Sequence, residues 1–396
     1  MGANFSFDST VPNPQIVESL GHKEPWHQLV VIGNGFDLAC GLPSGFASFF
    51  EARRDYFACK GPNATDPKFT ETLWDHILEK AGKDNWCDVE GAIAKWVAPK
   101  IPQSNAGQTP AIATGTTPLG KMLGKLEGYQ CSGSDAICDK SAPEYEVAFY
   151  IHGTCLPEHG TWTERQLLNL MQKELHILEE DFSRYLQEAI SKNSNYHQAS
   201  YKLMHDLLYY ELADSRNYDV EASVLSFNYT RPLKPCGFAS APIPYVNIHG
   251  QLGGEIIFGI DGTDHMNDPV VLPFTKTYRL MALDVPNACS IVRGGSAGAG
   301  IGATNVIKFY GHSLGKADYS YFQAIFDTVN LYTSKTQLLF FTQPFGGKDA
   351  AAVKHEMMDK AIVLLSAYGK TLDNKDHGKN LIHKLLIEGR LKVIVL

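Results

Sequence analysis

The sequence predicts an α/β fold, a Rossmann-like, doubly wound and mainly parallel sheet with a large helical insertion after the first strand. Three observations carry this expectation. Short apolar segments rich in β-branched residues recur along the chain, as strands covered on both faces require. Helical patterns lie between several of them, the alternation that builds parallel sheets. The first segment, Leu29-Val30-Val31-Ile32, runs directly into Gly33-Asn34-Gly35-Phe36-Asp37, a strand breaking into a glycine-rich turn that opens a helix.

Strands are expected at residues 29–32, 222–227, 244–248, 255–258, 305–309, 337–341 and 391–396. About 190 residues separate the first two, and within that gap 47–56, 70–80, 88–97, 164–192 and 197–210 read as helices. The clearest is 164–192, where Leu167, Met171, Leu175, Leu178, Phe182, Leu186 and Ile190 step by three or four and form one core-facing stripe. The simplest organisation is a single α/β domain over 26–396 behind an N-terminal extension of 1–25, the helical insertion spanning about 58–215. Inside the insertion, 102–143 is rich in Gly, Thr, Ser, Ala and Pro and is expected to be a flexible loop. A second glycine-rich stretch, 293–303, precedes a strand. No helix N-terminus follows it to hold an anion, so a loop is expected there too.

Composition narrows the function classes. Of the 396 residues, 44% are hydrophobic and 11% aromatic, which excludes a mainly disordered chain. A formal charge of −8 and no basic cluster longer than Arg53-Arg54 leave no footprint for DNA or RNA, so nucleic acid is not a favoured partner. No apolar run reaches the roughly 18 residues a membrane span needs. Residues 1–25 lack the basic and apolar regions of a signal peptide. Eight scattered cysteines fit reduced thiols and a cytoplasmic location. Cys131, Cys138, His152, Cys155 and His159 invite a zinc reading. The six residues between the first two exceed the usual knuckle spacing, however, and no metal site is expected.

The candidate chemistry sits at strand ends. The turn 33–37, continuing to Pro43 and Ser44, resembles a phosphate-holding loop: glycines admit close approach, and the following helix offers unpaired N–H groups. Three further strands end in Asn228-Tyr229-Thr230, in His249-Gly250, and in Gly311-His312-Ser313 followed by Asp318. In an open parallel sheet all carboxyl ends face one crevice, where ligands bind. Parallel strands therefore bring these residues into one pocket. Each has an ordinary alternative: the turn 33–37 as a plain tight turn with no ligand, Asn228 as a turn cap, His249 as a buried histidine, His312 and Ser313 as helix-start residues, and Asp37 as a helix cap. No nucleophile elbow, P-loop, H-E-x-x-H or kinase signature is present.

The segments VIGNGFDLACGLPS, NWCDVE (85–90), SFNYT (226–230), IHG (248–250), IIFGID (256–261) and FYGHSLGKADYSYF (309–322) resemble the AbiH family of phage abortive-infection proteins, in the expected order. The same residues resemble, more distantly, the sirtuin-like NAD-binding domains of bacterial defence proteins, several of which hydrolyse NAD. That resemblance implies catalytic roles for Asn228 and His249. It also implies nucleotide contacts at Gly33, Gly35, Ser44, Gly311 and Ser313. It departs at Asn34 and Phe36-Asp37, where sirtuins usually carry small residues, and at Thr230, where they carry Asp; a zinc ribbon is absent.

Three functions follow as expectations. The first is hydrolysis of NAD at its nicotinamide N-glycosidic bond, with NAD as substrate and no prosthetic group. The second is a nucleotide sensor answering a phage-derived trigger without turnover. The third is a nuclease or nucleotide-modifying toxin. The oligomeric state stays open, a homo-oligomer included.

Overall fold

The computed structural model describes residues 24–59, 68–79, 88–98, 118–131, 143–155, 162–210, 218–232, 243–283, 291–294 and 303–396. The apolar run 29–32 lies within strand β1 (Glu24–Ile32), and its four side chains are fully buried. Helices α1 (Asn34–Ala39), α2 (Phe46–Cys59), α3 (Leu73–Glu79), α4 (Val89–Val97), α5 (Pro118–Cys131), α6 (Pro143–Thr154), α7 (Glu164–Lys192) and α8 (Tyr196–Tyr209) follow. Then come β2 (Tyr218–Ser226), β3 (Tyr245–Asn247), α9 (Lys276–Ala282), β4 (Thr304–Tyr310), α10 (Tyr319–Thr328), β5 (Gln337–Thr342), α11 (Ala350–Thr371), α12 (Lys375–Ile387) and β6 (Leu391–Val395).

The six strands form one sheet in the order β3-β2-β1-β4-β5-β6, and every neighbouring pair is parallel. This is the strand order of the dinucleotide-binding Rossmann folds, with its reversal point between β1 and β4. Alternate side chains serve opposite faces. Leu29 and Val31 pack with α10, α11 and α12, whereas Val30 and Ile32 pack with α1 and α8. The sheet is therefore covered on both sides.

Helices α2 to α7 share a third hydrophobic cluster with Ile256, Phe258, Ile260, Val271 and Phe274 from the segment before α9. The spine of this layer is α7. Thr163 and Gln166 form its capping box, and Leu167, Met171, Leu175, Leu178, Phe182 and Leu186 are buried along its stripe. Its buried acids tie neighbours down. Asp181 meets Arg53 at 2.5 Å, Glu179 meets Arg279 at 2.5 Å, and Glu174 accepts the Leu73 N–H.

Two expectations are corrected. Residues 255–258 form no strand. Ile256 makes a single bridge to Gly250, while Ile256 and Phe258 are apolar because they fill the helical core. Within 102–143, residues 118–131 form α5, in which Leu119, Met122 and Leu126 are buried at helical spacing. Residues 99–117 and 132–142, like 1–23 and 295–302, lie outside the described residues. Among the described residues no helix is long and apolar enough to cross a membrane.

Candidate active site

Because the strands run parallel, the segments after β1, β2, β3, β4 and β5 open on one cavity of about 740 Å3. Asn34, Gly35, Asp37, Ser44, Asn228, Tyr229, His249, Gly311, His312, Ser313 and Asp318 all line it. Gly33, Phe36, Pro43, Thr230 and Gly250 are not among the residues that line it.

The turn after β1 is docked against the turn after β4. The Gly33 N–H donates to the Tyr310 carbonyl at 3.0 Å, the Gly35 N–H to the Gly311 carbonyl at 2.7 Å, and the Phe36 N–H to the Gly33 carbonyl at 2.8 Å. A Cβ on Gly33 would lie 2.6 Å from the His312 Cα, and one on Gly35 2.7 Å from the Gly311 Cα. The glycines are thus required by backbone meeting backbone. Three N–H groups of this turn already have carbonyl partners, so they are not free to hold a phosphate.

Asp37 lines the cavity, but its carboxyl group is engaged within the fold. It is 1% exposed, and its two oxygens accept the hydroxyls of Tyr196 and Thr230, each at 2.7 Å. Thr230 is thereby committed to the same network. Burial pushes the Asp37 carboxyl up to about 6, against the two hydrogen bonds that hold it down. A carboxyl raised in the folded state favours the protonated fold. Its stabilisation is complete below about pH 4 and is lost as the pH rises through about 6. Asp37→Asn should flatten this decline, which amounts to about 3 kcal/mol for the wild type. Urea midpoints of both proteins at pH 4.5 and pH 7.5 are the check, and parallel pH profiles would refute it.

The turn after β2 is held from beneath. Asn247 donates its amide to the Asn228 carbonyl at 2.7 Å and to the Thr230 carbonyl at 2.8 Å. The Asn228 N–H bonds the Ser226 hydroxyl at 3.1 Å. Tyr229 packs its ring on Phe182 and Phe258 and donates to the Ile257 carbonyl at 3.1 Å. The Asn228 backbone is engaged at both N–H and carbonyl, yet both polar atoms of its buried side chain are without a hydrogen-bond partner. So is Nε2 of His249. Gly250 lets the chain turn behind that histidine, since a Cβ there would lie 2.0 Å from the Glu255 carbonyl oxygen. Pro43 contributes its carbonyl to the Tyr185 hydroxyl at 2.9 Å, and Ser44 donates to Asn34 at 2.5 Å.

Beside Asn228 lies a charged group. His312 accepts the Leu314 N–H at Nδ1, at 2.8 Å, so its single ring proton is on Nε2, 3.2 Å from Asp318 Oδ2. Asp318 Oδ1 accepts from Lys276 Nζ at 2.7 Å and lies 3.4 Å from His249 Nε2. Lys276 also meets Glu90 Oε1 at 2.6 Å. Burial alone would raise Asp318; the His312 hydrogen bond and the Lys276 charge hold it well below the usual carboxylate range. Burial, then the Lys276 charge, lowers His249 to about 3. His249 is therefore neutral, and its contact with Asp318 is not an ion pair.

A family model described as Bacteriophage abortive infection AbiH matches residues 29–341. The chain belongs to the AbiH family. That places it among bacteriophage abortive-infection proteins. No curated protein and no solved structure matches it. The matched region of this AbiH chain runs from β1 to the last residues of β5 and includes Asn228, His249 and Asp318. Glu356 and Lys360 of α11, which also line the cavity, lie beyond it.

Sequence reasoning missed Glu90, Lys276 and Asn247. Glu90 closes the segment 85–90, of which 85–87 lie outside the described residues, and it was legible as family pattern without a role. Lys276 starts a seven-residue helix far from any strand end and carries no local signal. Of the suspected zinc ligands, Cys138 and His159 lie outside the described residues. Among the described residues no group of three or more His, Cys, Asp or Glu is placed to hold a metal.

Proposed function

We propose that the protein acts in phage abortive infection by binding NAD in this cavity and hydrolysing its nicotinamide N-glycosidic bond. The observation that carries the reading is a buried Asn228 amide and a His249 Nε2 beside Asp318, neither making a hydrogen bond, in one cavity at the carboxyl edge of a dinucleotide-type sheet. Native proteins seldom leave buried polar atoms unbonded, and both residues line the cavity, which suits them to a ligand. The distant sirtuin-like resemblance, which falls on the same two residues, supports it as well.

Nicotinamide leaves from an already cationic ring, so the C–N bond breaks with its electron pair passing to the ring nitrogen and no acid is needed. The site must steady an oxocarbenium-like ribose and deliver water. Asn228 orients the water or the ribose hydroxyls. Neutral His249 takes the proton as the water oxygen bonds the anomeric carbon. A weakly basic imidazole suffices, because water becomes strongly acidic once it bonds a cationic carbon. The ionised Asp318 opposes the developing positive charge. Products are nicotinamide, ADP-ribose and the proton on His249.

The test is nicotinamide release from NAD by purified wild type and His249→Ala, with and without lysate of phage-infected cells as trigger. Turnover in the wild type that falls at least about a hundredfold in the variant is expected. NAD recovered intact under both conditions, with a raised Tm, would replace hydrolysis by a sensor role.

A further inference from the structure

Glu90 has no part in the reaction above, yet it lines the cavity and is joined to its charged group. It sits on α4 in the helical layer, where its neighbour Asp88 caps the helix through the Gly91 N–H. Its Oε1 lies 2.6 Å from Lys276 Nζ, and Asp318 Oδ1 lies 2.7 Å from the same nitrogen. One ammonium thus serves two carboxylates. Lys276 is 2% exposed and buried between them, so its charge is not offered to a ligand phosphate. His312, protonated on Nε2 alone, adds no charge, and His249 is neutral. Burial pushes the Glu90 carboxyl up and the Lys276 charge holds it down. With Glu90 ionised, two carboxylates face one ammonium at the end of the cavity that holds Asn228 and His249, an excess of one negative charge. Anions are disfavoured there and a cationic ring is favoured.

We propose that Glu90 is the residue by which the cavity selects a nucleotide with a positively charged ring, an oxidised pyridinium dinucleotide, over its uncharged dihydropyridine form. Lys276 is shared between Asp318 and Glu90, and the second carboxylate, which Glu90 adds, leaves one negative charge for the ligand. The inference rests on the nucleotide reading proposed above and adds a specificity determinant to it. It also gives a physical role to the last residue of the 85–90 segment.

The experiment is calorimetric titration of the full chain with carba-NAD, which cannot be cleaved at the glycosidic position, and with its reduced form. Wild type, Glu90→Gln and Glu90→Asp are compared, with the ligand-free Tm of each recorded. Wild type should bind the oxidised form at least about tenfold more tightly, the scale of one charge contact in a partly buried site. Glu90→Gln should lose most of that ratio while its affinity for the reduced form changes less than about twofold. Glu90→Asp, which keeps the charge, should keep the discrimination. Equal binding of the two forms by wild type overturns the proposal and leaves the nucleotide reading standing; this ratio decides even if Glu90→Gln fails to fold. Equal losses of both forms in Glu90→Gln, or loss of discrimination in Glu90→Asp, overturn it too. Binding of neither form by folded wild type overturns the nucleotide reading itself.

Discussion

Asn228→Ala should lower NAD hydrolysis by about a hundredfold to a thousandfold, the usual cost of removing one preorganised polar contact to a transition state. It should do so without loss of stability. The Asn228 side chain is buried and makes no hydrogen bond, so the folded protein already bears the desolvation of both amide atoms. That burden is about 1–3 kcal/mol and disappears with truncation. Against it stands the small void left by the lost atoms, adjoining a cavity already open to solvent. The turn itself does not depend on the side chain, because Asn247 holds the residue 228 and 230 carbonyls and Ser226 holds the residue 228 N–H. Unchanged or raised Tm with lost turnover is the signature of a site kept at the expense of stability. A Tm fall of many degrees would instead show that Asn228 is a structural turn residue, and unchanged turnover would remove it from the mechanism.

The strand ends were legible because β-strand patterning and terminal chemistry are both local. The run 29–32 is apolar on both faces, and 305–309 is so apart from Asn305 and Lys308; both give way to glycine-containing polar turns. Parallel pairing alone then gathers Asn228, His249 and Gly311 to Ser313, a consequence that needs no knowledge of side-chain packing. The helical stripe of α7 was legible for the same reason. Its limits coincide with the expected 164–192, since Thr163 and Gln166 cap it through neighbours in sequence.

What escaped was whatever depends on a partner distant in sequence. Lys276 is defined by Glu90 and Asp318, and nothing near it announces a buried ammonium. Segment 255–258 has strand composition but no strand to pair with; the helical core claims its side chains. In α5 the spacing of Leu119, Met122 and Leu126 was present, but glycines and the surrounding polar, proline-rich stretch obscured it. Most instructive is the turn at 33–36. A glycine signals that something comes close, and the sequence does not say what. A phosphate and a neighbouring backbone make the same demand.

That distinction yields a sharp expectation for Gly311→Ala, which should cost more than about 4 kcal/mol, an exceptional value for a single methyl group. Two effects combine. Gly311 has φ of 69°, a left-handed conformation that costs a non-glycine residue about 1–3 kcal/mol. Its Cβ would also lie 2.4 Å from the Phe36 nitrogen and 2.6 Å from the Gly35 carbonyl carbon. Those are backbone atoms at the junction of β1 and α1, fixed by the Gly35 and Phe36 N–H hydrogen bonds, and they have little room to retreat. Gly253→Ala separates the two effects. Gly253 has a similar φ of 87°, but its Cβ would meet nothing within 4 Å. It should lose only the conformational part, about 1–2 kcal/mol. Urea midpoints at equal m values measure both losses. Similar losses at the two positions would mean that the junction yields to an added methyl, and that the glycines after β1 and β4 are kept for a ligand's approach after all. A loss at Gly311 several times larger would show the opposite: the two turns form a rigid frame, and the chemistry of the cavity belongs to the side chains arranged around it.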